Sequence, residues 1–184
     1  MIFDLPKSLT VNGKDYKIRT DYRDVLNVLV AFEDPNLEDT DKVYVCMTVI
    51  YEDVESIPED DLNEAYEKAI WFIDNGQTDN KHHPKTMDWE QDANLIFPAV
   101  NRVAGFEVRA VEYLHWWTFL GYFMEIGESA FSMIMGLRQK KAKGKSLDKW
   151  EKEFWNDNID VCKLKTKLSE EEEEEKRRLL SVLG

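Results

Sequence analysis

The side chains with which this chain could do chemistry fall in four places. His82 and His83 adjoin Pro84 and Lys85; Asp88, Glu90 and Asp92 follow; His115 stands among Tyr113, Trp116 and Trp117; Cys46 and Cys162 are far apart. Imidazole and carboxylate together can hold a divalent metal or pass a proton, and a thiolate can act as nucleophile or metal ligand. Each use has a spacing requirement. Adjacent histidines in a polar loop point apart, so a metal on His82 and His83 would need ligands from elsewhere, and exposed loop histidines are the expected reading. Two cysteines without CxxC spacing support neither a thiolate metal site nor a disulfide framework, which favours a reducing compartment. The acids at 88, 90 and 92 suit the positive end of a helix dipole, and Asp88 with Gln91 has the spacing of a capping box. His115 on an aromatic helix is expected to be a buried residue bonded to a backbone carbonyl or a carboxylate, with Glu112 and Glu125 as candidate partners.

Phosphate-cradling, zinc-protease and nucleophile-elbow motifs do not occur, and eight single glycines build no glycine-rich loop. The expectation is therefore a protein without catalytic residues, metal or cofactor, with Asp88, Asp92 and His115 as structural polar groups. The competing enzyme reading would use His115 with the 88 to 92 acids, converging on a polar pocket.

These residues need elements to hold them, and the period of the apolar residues supplies a mainly α, multi-helix single domain with a small N-terminal β-hairpin. SLTVNGKDYKI alternates around Asn12-Gly13, which predicts a hairpin over about 8–18. Tyr22, Val25, Leu26, Leu29 and Phe32 predict a first helix ending at Asp34-Pro35-Asn36. DKVYVCMTVIYED fits strand by composition but helix by the spacing of Val43, Met47, Ile50 and Val54, and is assigned as helix. A third helix follows Pro58, with a stripe of Leu62, Tyr66, Ala69, Ile70 and Ile73. DWEQDANLIFPAVNRVAG predicts a helix kinked or split at Pro98 and closed by Gly105. A long aromatic helix is expected from about Glu107 to Ile126, then one through SAFSMIMGLRQKK, then one in SLDKWEKEFWNDN with Leu147, Trp150 and Phe154 on one side. RQKKAKGK between them reads as a solvated inter-helix loop. SEEEEEEKRRLLSVL begins with the capping pair Ser169 and Glu172, and its crowded terminal leucines need something to dock on. The division expected is a helical domain over 1–164 and a charged C-terminal helix over 165–184.

The run YLHWWTFLGYF is uncharged, but only twelve residues separate Glu112 from Glu125, about 18 Å of helix against a hydrocarbon core near 30 Å. It does not span a bilayer, and MIFDLPKSLTV is too short an apolar run for a signal peptide. Residues 1–92 carry 22 acids and 9 bases, residues 93–184 carry 15 of each, and the net charge is −13. An acidic half of this kind repels phosphate backbones, so nucleic acid is not an expected partner. Trp116, Trp117, Phe119, Leu120, Tyr122 and Phe123 make most of a helix circumference apolar. Such a helix is either central in the core or has one face waiting for a protein partner, because Trp and Tyr are enriched at interface hot spots.

DWEQDANLIFPAVNRVAGFEVR, EYLHWWTFLGYFMEIG and FSMIMGLRQKKAKGKSLDKWEKEFWNDN resemble the bacteriophage gene-product-fifteen family, over about Phe3 to Asn158. The Asp88/Asp92 pair and the His115-Trp116 dipeptide followed by the KGK turn carry most of the likeness. That resemblance implies a tail assembly chaperone of long-tailed phages and prophages of Gram-positive hosts. Such a protein would keep the tape measure protein soluble in the host cytoplasm before tail tube polymerisation and be absent from the finished virion. It further implies self-association along the client, with Trp116, Trp117, Phe119, Tyr122 and Phe123 as candidate partner-binding residues. The alternative within the same setting is a tail completion or connector subunit retained in the particle.

Overall fold

The computed structural model describes residues 4–77 and 84–183, so His82 and His83 lie outside the described residues. Among them are nine α-helices and one two-stranded sheet. No described helix is long and apolar enough to cross a membrane.

Strands β1 (Ser8–Val11) and β2 (Lys14–Lys17) pair antiparallel, Ser8 opposite Lys17 and Val11 opposite Lys14. Asn12 and Gly13 take φ of 46° and 77°, the two left-handed residues that a two-residue hairpin loop of this hand demands. The turn is tied down where the third helix starts: Asn12 N–H donates to Glu64 Oε2 and its side-chain amide to Asp61 Oδ1. Leu9, Val11 and Tyr16 are buried on one face, as the period of two requires.

Helix α1 (Tyr22–Phe32) is capped by the Asp21 carboxylate on Arg23 N–H. Helix α2 (Asp39–Ile50) fulfils the helical reading of the ambiguous segment, although its buried face is Cys46, Met47 and Ile50, leaving Val43 37% exposed. Arg19 ends α2 by donating from one guanidinium nitrogen to the carbonyls of Thr48, Val49 and Tyr51. Two 3-10 turns, Val54–Ser56 and Glu59–Asp61, lead into α3 (Leu62–Ile73). There the buried stripe is Ala65, Ala69, Phe72 and Ile73, rotated from the expected one, so Leu62 is 38% exposed.

Helix α4 (Ala93–Ala104) runs unbroken through Pro98. The expected split does not occur because Pro98 and Asn94, whose carbonyl loses its partner, both lie on the exposed side, where water replaces the missing bond. Gly105 at φ 79° closes the helix as read. The expected helix over 107–126 is corrected to α5 (Trp116–Met124), preceded by a 3-10 turn at Val108–Ala110 and an extended stretch. The backbone of that stretch is committed elsewhere: Tyr22 N–H donates to Leu114 O, Trp116 N–H to Thr20 O at 2.7 Å, and Leu114 N–H to Asp21 Oδ2.

Helix α6 (Ala130–Ala142) runs through SAFSMIMGLRQKK as expected, and the loop reading of RQKKAKGK holds only beyond Ala142. In α7 (Lys149–Asp157) the buried tryptophan is Trp155, while Trp150 is 57% exposed and stacks on Phe154. A short α8 (Ile159–Cys162) and α9 (Glu170–Leu183) complete the chain. Ser169 and Glu172 exchange the capping-box bonds expected of them. The main core spans the hairpin to α5 and takes in Phe131; a smaller cluster of Ile134, Leu137, Leu147, Trp155 and Cys162 is joined to it through Leu95.

Candidate functional site

His115 is the N-cap of α5. Its Nδ1 accepts from Trp117 N–H at 3.0 Å, so Nε2 carries the proton and donates to the Pro6 carbonyl at 2.9 Å. The partner is a backbone carbonyl, one of the two kinds expected, and neither Glu112 nor Glu125 bonds to the ring. Burial, with Lys7 adding to it and the Pro6 bond opposing, lowers its pKa and keeps the imidazole neutral.

The two tryptophans that follow are held by the end of α3. Trp116 Nε1–H donates to Ile73 O and Trp117 Nε1–H to Phe72 O, both at 2.8 Å; the first satisfies a carbonyl that the helix terminus leaves open, and the second shares its acceptor with Asn75 N–H. Phe119 stacks on Tyr22, 4.4 Å between centroids and 9° between planes, and Trp89 lies against Phe123. Trp116 is 1% and Phe119 0% exposed; Trp117, Tyr122 and Phe123 are partly buried against the same cluster. Of the five candidate partner-binding residues, Trp116 and Phe119 therefore cannot touch another chain while this one is folded. Helix α5 thus puts Trp116 and Phe119 into the core, while Met124 at its end is 59% exposed.

Asp88 and Asp92 stand in a second buried node. Asp92 receives two guanidinium bonds from Arg138, at 2.6 and 2.9 Å, and the Asp88 N–H at 2.9 Å. Arg138 spends its remaining donors on Cys162 O, Val161 O and Thr86 O. The first residue of the supposedly solvated basic loop is thus a 5% exposed clamp that fastens α8 to the start of α4. Asp88 accepts from Glu90 and Gln91 N–H, but Gln91 does not return the bond as a capping box would; its amide holds Lys163 O and Lys165 N–H instead. Burial opposes ionisation of Asp88, yet the Gln91 N–H, the Lys85 ammonium, the Glu33 carboxyl and Lys167 outweigh it and hold its pKa far below the usual carboxylate range. Lys167 also binds Glu90 at 2.7 Å, and Glu170 N–H donates to Asn36 Oδ1. Residues 163–170 are a strap pinned to residues 88–91 ahead of α4 and to Glu33 and Asn36 after α1.

Among the described residues no group of three or more His, Cys, Asp and Glu stands close enough to share a metal ion. Cys46 is buried, and burial pushes its thiol up to about 12, the opposite of a reactive nucleophile.

The open apolar feature lies on the other side, between α2 and α3. Val43, Tyr44 and Met47 of α2, Leu62 and Tyr66 of α3, and Val54 and Ile57 from the turns line a groove of ≈ 600 Å³, with Glu55 and Glu59 on its rim. The two 3-10 turns form one wall of the groove. Next to them, Tyr51 donates its hydroxyl to Ala65 O across the buried contact. Tyr44 is 70% exposed. Between residues 38 and 67 the chain has eleven acids and one lysine, so the groove is an apolar trough in strongly negative surroundings.

The sequence model of the family described as Bacteriophage Gp15 protein matches residues 2–164. The chain belongs to that family. No curated protein and no solved structure gives a significant match. The Gp15 match takes in the hairpin, the aromatic core, the Asp92–Arg138 clamp and the whole α2–α3 groove, and it stops at the strap, before α9. Tyr44 and Val43 were not singled out as a binding surface from the sequence. A signal was present: the β-branched and aromatic residues of DKVYVCMTVIYED exceed what one buried helical face can hold.

Proposed function

We propose that the chain is a phage tail assembly chaperone that binds the tape measure protein and keeps it soluble before the tail tube polymerises, acting without catalysis in the host cytoplasm and leaving before the virion is complete. The observation that carries this reading is the acidic, apolar α2–α3 groove on a phage-family chain. A tape measure protein is a long helical polypeptide with apolar stretches that aggregate when uncovered. A groove between two helices accepts the apolar face of a third, and negative surroundings select a client helix flanked by Lys or Arg while keeping the complex soluble. The groove replaces the α5 surface as the contact region; α5 holds the far end of α3 through Trp116 and Trp117.

Co-expression with the neighbouring tape measure gene tests the reading. The expected result is that the tape measure protein moves into the soluble fraction and co-purifies with this chain, and that mass spectrometry of purified virions finds none of it. Equal solubility with and without the chain contradicts the chaperone role, and recovery of the chain from virions favours a retained tail completion or connector subunit.

A further inference from the structure

A second cavity, of ≈ 410 Å³, lies where α8, the strap and α9 meet. Lys163, Lys165 and Lys176 bring cations to it, and Ile159, Leu164 and Leu168 give it an apolar lining. Lys167, the remaining lysine of the strap, is spent on Asp88 and Glu90, whereas Lys163, Lys165 and Lys176 form no ion pair among the described residues. Asp160 is the one acid in the lining, so the cavity is cationic in a chain of net charge −13. We infer that it is a docking site for a short acidic segment of a protein partner, whose carboxylates meet the lysines while a neighbouring apolar side chain packs on Ile159, Leu164 and Leu168.

The backbone under two of the three lysines is fixed in advance. The Gln91 side chain donates to Lys163 O at 2.8 Å and accepts from Lys165 N–H at 2.9 Å, so binding does not have to order that stretch. The lining decides the class of ligand. A phosphate ion would occupy a small part of the volume and leave the apolar residues bare. Nucleic acid finds no ring to stack on here, and the exposed Glu170 to Glu175, which lie between Leu168 and Lys176 in the chain, oppose a continuous run of phosphates. A short segment with few carboxylates and an aliphatic side chain matches both the charge and the lining. The family match ends at residue 164, so Lys165, Leu168 and Lys176 lie beyond it. The site is separate from the α2–α3 groove and takes a partner of the opposite charge.

Fluorescence anisotropy tests this, with a short labelled peptide of Leu set between Glu residues titrated by the full chain. Wild type is expected to bind it saturably, and more weakly as salt rises. Lys163→Glu with Lys165→Glu is expected to weaken binding at least about tenfold, and Lys176→Glu to act in the same direction. Lys149→Glu with Lys152→Glu changes the net charge as much but lies on α7, outside the cavity, and should leave the affinity unchanged. These lysines are exposed and Gln91 bonds only backbone atoms, so the fold is retained, as circular dichroism verifies. Tyr44→Glu should also have no effect, which separates the result from the chaperone reading. The inference is overturned by absence of saturable binding or by an equal loss in the α7 pair. It is equally overturned by equal affinity for a peptide with Gln for Glu or Ser for Leu, or by tighter binding of a labelled single-stranded oligonucleotide.

Discussion

Arg138 and Asp92, 46 residues apart in sequence, meet as a fully buried bidentate ion pair with side chains 4% and 1% exposed. The pair ties α6 to the start of α4, three residues from Leu95, through which the two hydrophobic clusters meet. Arg138 leaves α6 to reach the start of α4 and on the way takes the carbonyls that end α8.

Removing one partner leaves the other charge buried and alone. Arg138→Ala is expected to cost about 3–5 kcal/mol in urea denaturation. Replacing both, Asp92→Leu with Arg138→Met, should cost less than the two single losses added together. It is still expected to destabilise, because Cys162 O, Val161 O and the Asp88 N–H lose donors or acceptors worth about 1–3 kcal/mol each. Strict additivity would show that the pair does not act as a unit.

His115 makes the fold sensitive to mild acid. Its folded pKa lies below the free value near 6.5, so the unfolded chain binds the proton more readily. The corresponding stability is full above 6.5 and falls as the pH drops below it, where a protonated Nδ1 can no longer accept from Trp117. Asn retains a capping oxygen but does not titrate. His115→Asn is therefore expected to show a flatter dependence of Tm between pH 6.5 and 5 than wild type; equal slopes would remove His115 as the cause.

A lower window belongs to Asp88. Its pKa is depressed, so its contribution is present above the free value near 3.8 and is lost as the pH falls further. Since Asp88 also receives Lys85 and Lys167, acid should loosen the strap. Asp88→Asn at neutral pH is expected to speed amide exchange over residues 163–169, measured by mass spectrometry, with the α4 and α5 amides unchanged.

Helix α5 was legible as an aromatic helix but not in length or role. Composition marks Trp116 to Phe123 as apolar, yet nothing local shows that residues 111–115 are spent in pairing with Thr20 to Tyr22, or that both indoles are reserved for Phe72 O and Ile73 O. Those partners lie 43 or more residues away. The hairpin was readable because Asn12-Gly13 fixes its own backbone, and so was the Ser169–Glu172 cap. Arg138 was misread because a run of basic residues looks solvated until an acid from another helix is placed beside it. The groove was missed because an exposed apolar residue and a buried one are the same letter.

Trp116→Phe separates core from surface. The ring remains, but Ile73 O loses its donor, a loss of about 1–3 kcal/mol in chemical denaturation. Below the transition the folded variant is expected to bind its client as wild type does. Loss of binding with stability intact would return α5 to the contact surface.

The contact surface itself is reached most directly by fluorescence titration of the folded chain with labelled segments of the tape measure protein, comparing wild type with Val43→Glu and Tyr44→Glu. Both side chains are exposed, so the fold is retained, and a carboxylate placed in the trough opposes an apolar helix. The account predicts that a Lys- or Arg-flanked apolar segment binds wild type and that each substitution weakens it at least about tenfold, about 1.4 kcal/mol. Unchanged affinity in both variants, with the fold verified, would contradict the groove as the site of client capture.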